Sequence, residues 1–122
     1  MKRTYNPTFS RSSHKYNAQA TIVDGIRFAS KFEAERYGLL RAMERGGSIK
    51  ELTLQPRYKI EINNVLICTY VADFFYKRQL SDGTWAEIVE DAKGVETPEF
   101  KLKKKLMKAV LNIDVNVVKK RA

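Results

Sequence analysis

One hairpin constrains this chain more than any other stretch. The runs Tyr70-Val71-Ala72-Asp73-Phe74-Phe75-Tyr76 and Trp85-Ala86-Glu87-Ile88-Val89-Glu90-Asp91-Ala92-Lys93 flank the turn-forming segment Leu80-Ser81-Asp82-Gly83-Thr84. Folding about Asp82 sets Asp73 directly opposite Asp91. Partners on one face of an antiparallel pair have Cβ atoms about 5 Å apart, a spacing at which like charges destabilise the sheet unless something compensates. A divalent cation would compensate. Because side chains alternate along a strand, Lys93 shares the face of Asp91, while Glu90 points the other way with Ile88 and Ala92. Asp73, Asp91 and Lys93 are therefore expected to converge.

At 122 residues the chain can bury one core and is too short for two ordinary domains. Its 23 lysines and arginines against 14 acids give a formal charge of +9, which favours a polyanionic partner, nucleic acid first. A membrane surface is the rival polyanion, but no apolar run approaches the roughly 20 residues that span a bilayer. The basic N-terminus carries no apolar signal segment. A lone Cys68 excludes an intrachain disulfide and a cysteine-rich zinc site, and fits the reducing cytoplasm. The single histidine, His14, sits in a polar stretch, so a histidine-dependent nucleophilic triad is not expected. Any chemistry falls to carboxylates.

Residues 1–17 are polar and basic, with Arg11 and Lys15 near the end, and read as a flexible arm that attracts DNA ahead of a single domain over 18–122. Thr21-Ile22-Val23 and Ile26-Arg27-Phe28 around Asp24-Gly25 predict a short hairpin. Ser30-Lys31-Phe32-Glu33 then carries a Ser-x-x-Glu helix start, and Gly46-Gly47 ends the helix expected over Lys31 to Arg45. Strands are predicted at Leu54 to Ile62, Val65 to Tyr76 and Trp85 to Lys93, with Pro56 marking an edge or bulge. Thr97 as N-cap and Pro98 at the first helical position open a second helix to Leu111, with Phe100, Leu102, Leu106, Met107 and Val110 as its apolar positions. A last strand covers Ile113 to Val118. The fold class is thus α/β, in the order α-β-β-β-α-β after a leading hairpin, with a mixed central sheet flanked by helices.

On the first helix Phe32, Leu39, Leu40 and Met43 form the expected buried stripe, with Glu33 on its border. Glu33 either completes a capping box with Ser30, or faces the sheet, or does both. The pattern Asp/Glu-x-Lys occurs twice, at Asp91-Ala92-Lys93 and Glu99-Phe100-Lys101. Only a strand puts positions two apart on one face, so only the first pair can converge on a metal; the bland alternative is a surface ion pair. Arg36 and Lys103 fall where a helical wheel expects apolar residues. Each reaches toward the carboxylates or a bound phosphate, or else covers apolar surface with its stem. Lys101, Lys104, Lys105 and Lys108 form a solvated stripe suited to a phosphate backbone. Gln55 could bond a base, a phosphate or its own backbone. Tyr70, Phe74 and Tyr76 are expected in the core, on the face away from Asp73.

The order helix carboxylate, strand aspartate, then Asp/Glu-x-Lys on the next strand resembles the PD-(D/E)XK, or restriction-endonuclease-like, nuclease superfamily. Glu33, Asp73, Asp91 and Lys93 supply it here. Ser30 to Tyr37, Leu54-Gln55-Pro56, Tyr70 to Phe74, Glu90 to Gly94 and Thr97 to Lys103 are similar to small phage and prophage nuclease-fold proteins, some described as Holliday-junction-resolving endonucleases. The superfamily's proline before the first aspartate is absent, since Ala72 stands there. The resemblance implies a Mg²⁺-dependent DNA endonuclease, with Mn²⁺ able to substitute, acting on branched DNA as a homodimer and without a small-molecule cofactor. It implies that Asp73, Asp91 and the Ala92 carbonyl hold the metal, that Glu33 binds it through water or holds a second ion, and that Lys93 assists the attacking water. Two other functions fit the same residues. One is a nicking or flap-type nuclease on duplex or single-stranded DNA, and the other a non-catalytic basic DNA-binding module.

Overall fold

The computed structural model describes residues 20–120, and the expected basic arm, with Arg11, His14 and Lys15, lies outside the described residues. A short hairpin, β1 (Thr21–Val23) and β2 (Ile26–Phe28), turns at Asp24 and Gly25, both with positive φ. Helix α1 (Lys31–Arg45) starts at Ser30, whose extended backbone lets its side chain accept the Glu33 N–H at 3.1 Å. It stops where the Gly46 N–H returns to the Ala42 carbonyl and Gly47 takes a φ of 86°.

Five strands follow before the second helix: β3 (Ile49–Leu54), β4 (Arg57–Ile62), β5 (Val65–Val71), β6 (Phe74–Gln79) and β7 (Trp85–Lys93). Helix α2 (Pro98–Leu111) is capped by the Thr97 side chain, which accepts the Phe100 N–H, and leads to β8 (Val115–Lys119). The principal sheet has the order β3-β6-β7-β8, with β7 and β8 parallel and the other neighbours antiparallel. The protein is therefore α/β, with a mixed multi-strand sheet and two helices. Among the described residues, no helix is long and apolar enough to cross a membrane.

The two strands expected at Leu54 to Ile62 and Val65 to Tyr76 are each broken, and broken at the same level. Gln55-Pro56 separates β3 from β4, and Ala72-Asp73 separates β5 from β6, so the β4–β5 half leaves the principal sheet as a separate two-stranded ribbon. Strand β3 escapes a periodicity reading because its register to β6 shifts between Lys50 and Thr53, where Glu51 has a φ of 59°. The last strand begins two residues later than expected. Asn112 adopts a left-handed φ of 57° and the Ile113 N–H reaches back to the Met107 carbonyl, so Ile113 and Asp114 are spent closing α2.

The principal sheet separates two clusters. Phe28, Ala34, Tyr37, Leu40, Ile49, Phe74 and Tyr76 pack on the α1 side; Ile60, Tyr70, Ala72, Val89, Phe100, Met107 and Val115 pack with α2. The α1 stripe is rotated from the expected one: Glu33, Ala34, Tyr37 and Leu40 are buried, while Leu39 is 52% exposed. Tyr37 draws the helix round, its ring 4.9 Å from that of Phe28 and its hydroxyl donating to Asp24 at 3.0 Å. Leu102 is likewise exposed, because it lies about 200° round the helix from Phe100.

Candidate functional site

The double break builds the site. Gln55 takes a φ of 52°, a left-handed conformation that costs a residue with a Cβ about 1–2 kcal/mol, and its N–H donates to the Asp73 carbonyl at 2.9 Å. Across the same kink the Ala72 N–H donates to the Pro56 carbonyl at 3.1 Å. Pro56 is tolerated there because it has no N–H to lose from a ladder. The kink also exchanges faces. Tyr70 and Ala72 belong to the α2 cluster, whereas Phe74 and Tyr76 belong to the α1 cluster, which strict alternation would forbid. Tyr70 thus departs from its expected place beside Phe74 and Tyr76, and its ring lies 6.4 Å from Phe100.

At the exchange point the β6–β7 ladder is completed by side chains. Phe74 pairs with Glu90, which continues to Asp73 opposite Asp91 as the turn at Asp82 predicts. The Asp73 N–H donates to Asp91 Oδ1 at 2.9 Å, and the Ala92 N–H donates to Asp73 Oδ2 at 2.9 Å. Each aspartate therefore accepts a backbone amide of the opposing segment, so both side chains are fixed across the same rung.

Asp91 is 1% exposed, and its Oδ2 has no hydrogen-bond partner among the described residues. Burial pushes its carboxyl up to about 6, against the opposing pull of the Lys93 charge and the Asp73 amide. A buried, unsatisfied carboxylate oxygen is costly, and a cation is the partner that relieves it most fully. Two carboxylates from facing segments, with the Ala92 carbonyl between Asp91 and Lys93 in sequence, form a hard oxygen set suited to Mg²⁺ or Mn²⁺. The Lys93 ammonium rests 4.6 Å from the centre of the Phe100 ring.

The other expected site residues are distributed differently. Glu33 is buried at the start of α1, where its Oε1 accepts the Ala29 N–H at 3.3 Å, one residue before the partner of a standard capping box. Among the described residues no group of three or more His, Cys, Asp or Glu side chains is placed to hold one metal. Arg36 reaches neither aspartate: its Nε and Nη2 donate to Glu90 at 2.6 and 2.9 Å. Lys103 pairs with Glu99 at 3.0 Å on its own helix. Lys101, Lys105 and Lys108 are exposed and Lys104 half-buried, with Lys108 paired to Asp114 at 3.1 Å. The backbone of Gln55 holds Asp73.

Sequence reasoning passed over Glu90. It is 0% exposed, accepts both Arg36 nitrogens and also the Tyr76 hydroxyl at 2.6 Å, and with burial drives the tyrosine up to about 12. This network fastens α1 to β7 immediately before Asp91. A signal existed: an acid alternating with Ile88 toward the interior and an arginine on a buried helix stripe are complementary misfits.

No curated protein and no solved structure matches the chain. The match to a family description extends over residues 13–120, and the chain belongs to the family described as protein of unknown function (DUF1064).

Proposed function

We propose that this protein is a Mg²⁺-dependent DNA endonuclease of restriction-endonuclease-like architecture and phage origin, acting on branched DNA such as a four-way junction. The reading rests on one observation above all. Asp73 and Asp91 are fixed on facing segments by reciprocal amide bonds, with a buried Asp91 carboxylate oxygen without a partner among the described residues and Lys93 on the strand of Asp91. A mixed sheet with a helix on each face, and an excess of 23 basic over 14 acidic residues, support it further.

In this reading Asp73, Asp91 and the Ala92 carbonyl hold the cation, which supplies positive charge against the scissile phosphate. Asp73 and Asp91 are pre-positioned by the two amides, so little reorganisation is needed on binding. Lys93, as an ammonium, would orient the attacking water by donating to it and would offset negative charge growing on the phosphate oxygens. Glu33 would bind the cation through water or hold a second ion. Two cuts in opposed strands call for a two-fold symmetric homodimer.

The test is direct. The protein binds junction DNA without divalent ions and cuts it when Mg²⁺ is added, and Asp73→Ala keeps binding while losing cleavage. Wild-type cutting by both Asp73→Ala and Asp91→Ala would overturn the assignment. A panel of junction, flap, duplex and single-stranded oligonucleotides separates junction resolution from nicking or flap cleavage. The second reading is a non-catalytic basic DNA-binding module, for which the excess of 23 basic over 14 acidic residues would suffice. No cleavage with any divalent ion, together with no metal-dependent rise in Tm, would select it.

A further inference from the structure

One acid beyond the aspartate pair is set among cations. Glu96 lies in the loop from β7 to α2, and its Oε2 is 2.5 Å from Nζ of Lys119. Lys119 ends β8 and is the register partner of Lys93, while the Lys120 N–H donates to the Lys93 carbonyl at 3.3 Å. Lys119 foremost, then Lys104 and Lys101 from α2, hold the Glu96 carboxyl below the usual carboxylate range. Lys119 thus contacts this carboxylate, and the charges of Lys104 and Lys101 act on it from α2, next to the strand end that carries Lys93. The local charge is far from neutralised, and an excess of this kind draws a second anion.

The loop that carries Glu96 borders solvent. Val95 is 62% exposed, and a Cβ added to Gly94 would meet nothing within 4 Å. A phosphodiester offers the same pair of anionic oxygens as a carboxylate, so it can take over the ammonium contacts that Glu96 makes.

Building on the DNA-endonuclease reading, we propose that Lys101, Lys104 and Lys119 form a subsite for a DNA backbone phosphate beside Lys93, and that Glu96 occupies it in the free protein until an incoming strand displaces it. Glu96 then acts as an internal competitor. It weakens attachment to arbitrary DNA and leaves the strand path past Lys93 open only to substrates that contribute further contacts.

The experiment measures anisotropy of a labelled four-way junction and of a duplex control in EDTA across a salt series, with cleavage in Mg²⁺ measured separately. Lys119→Gln should weaken binding roughly threefold and lower the salt slope by about 1. Glu96→Gln should tighten binding by a similar factor. Glu61→Gln, on the β4–β5 ribbon, controls for net charge and should change affinity less. Equal effects of Glu96→Gln and Glu61→Gln, or an unchanged slope in Lys119→Gln, overturn the subsite even if the wild type binds and cuts. Binding that responds as expected with no cleavage in any divalent ion upholds the subsite and overturns hydrolysis. Failure of the wild type to bind any DNA overturns both.

Discussion

Replacing Asp91 by asparagine tests the physical core of the site without relying on catalysis. The folded carboxyl is raised from the ordinary 3.8 to about 6, chiefly by burial. Between those values the folded protein keeps a proton that the unfolded chain has released, so stability falls as pH rises through the window and the loss is complete above the folded value. A shift of that size corresponds to about 3 kcal/mol. Asparagine retains an oxygen for the Asp73 N–H and never ionises, but its amide buries donors where Oδ2 had no partner, a pH-independent cost of about 1–3 kcal/mol. The variant should therefore be less stable than wild type near pH 4 and equal or superior near pH 7.5. In thermal melts recorded in EDTA, the difference in Tm, variant minus wild type, should rise by roughly 10 °C over that interval. Adding Mg²⁺ at pH 7.5 should raise the wild-type Tm and leave the variant unmoved. A flat difference across pH 4 to 7.5 would refute the claim that Asp91 is a buried, titrating acid held in readiness for a cation.

Three further predictions probe the frame around the site. Arg36→Ala leaves Glu90 buried without its ion-pair partner and should cost about 3–5 kcal/mol in urea unfolding, whereas Glu90→Gln, which keeps an acceptor for Tyr76, should cost less. Thr97→Ala removes the cap of α2 and should cost about 1 kcal/mol, seen as a lower denaturation midpoint with an unchanged m-value. Gln55→Gly relieves the left-handed strain while adding freedom to the unfolded chain, so stability should change by less than about 1 kcal/mol; a large loss would show that the glutamine side chain itself holds the kink.

What could be read before folding was local. The Asp73–Asp91 pairing follows from a turn centred on Asp82 and the two-residue period of strands, and both act within some 20 residues of chain. Ser30, Gly46, Thr97 and Pro98 announce the helix ends because capping groups meet amides only a few residues away. The shared break of two strands is another matter. Pro56 hints at it, but only the ribbon's turn toward the α2 side explains why Tyr70 and Phe74, four residues apart, lie on opposite faces. Arg36 meets Glu90 across 54 positions, a partnership no sequence period encodes. By itself, then, the sequence determined the turn, the caps and the facing aspartates, since sterics and hydrogen bonding settle these among near neighbours. Only the tertiary structure decided which face each side chain enters, which acid meets which base and which carboxylate oxygen stays unsatisfied, because burial is a collective property of segments distant in the chain.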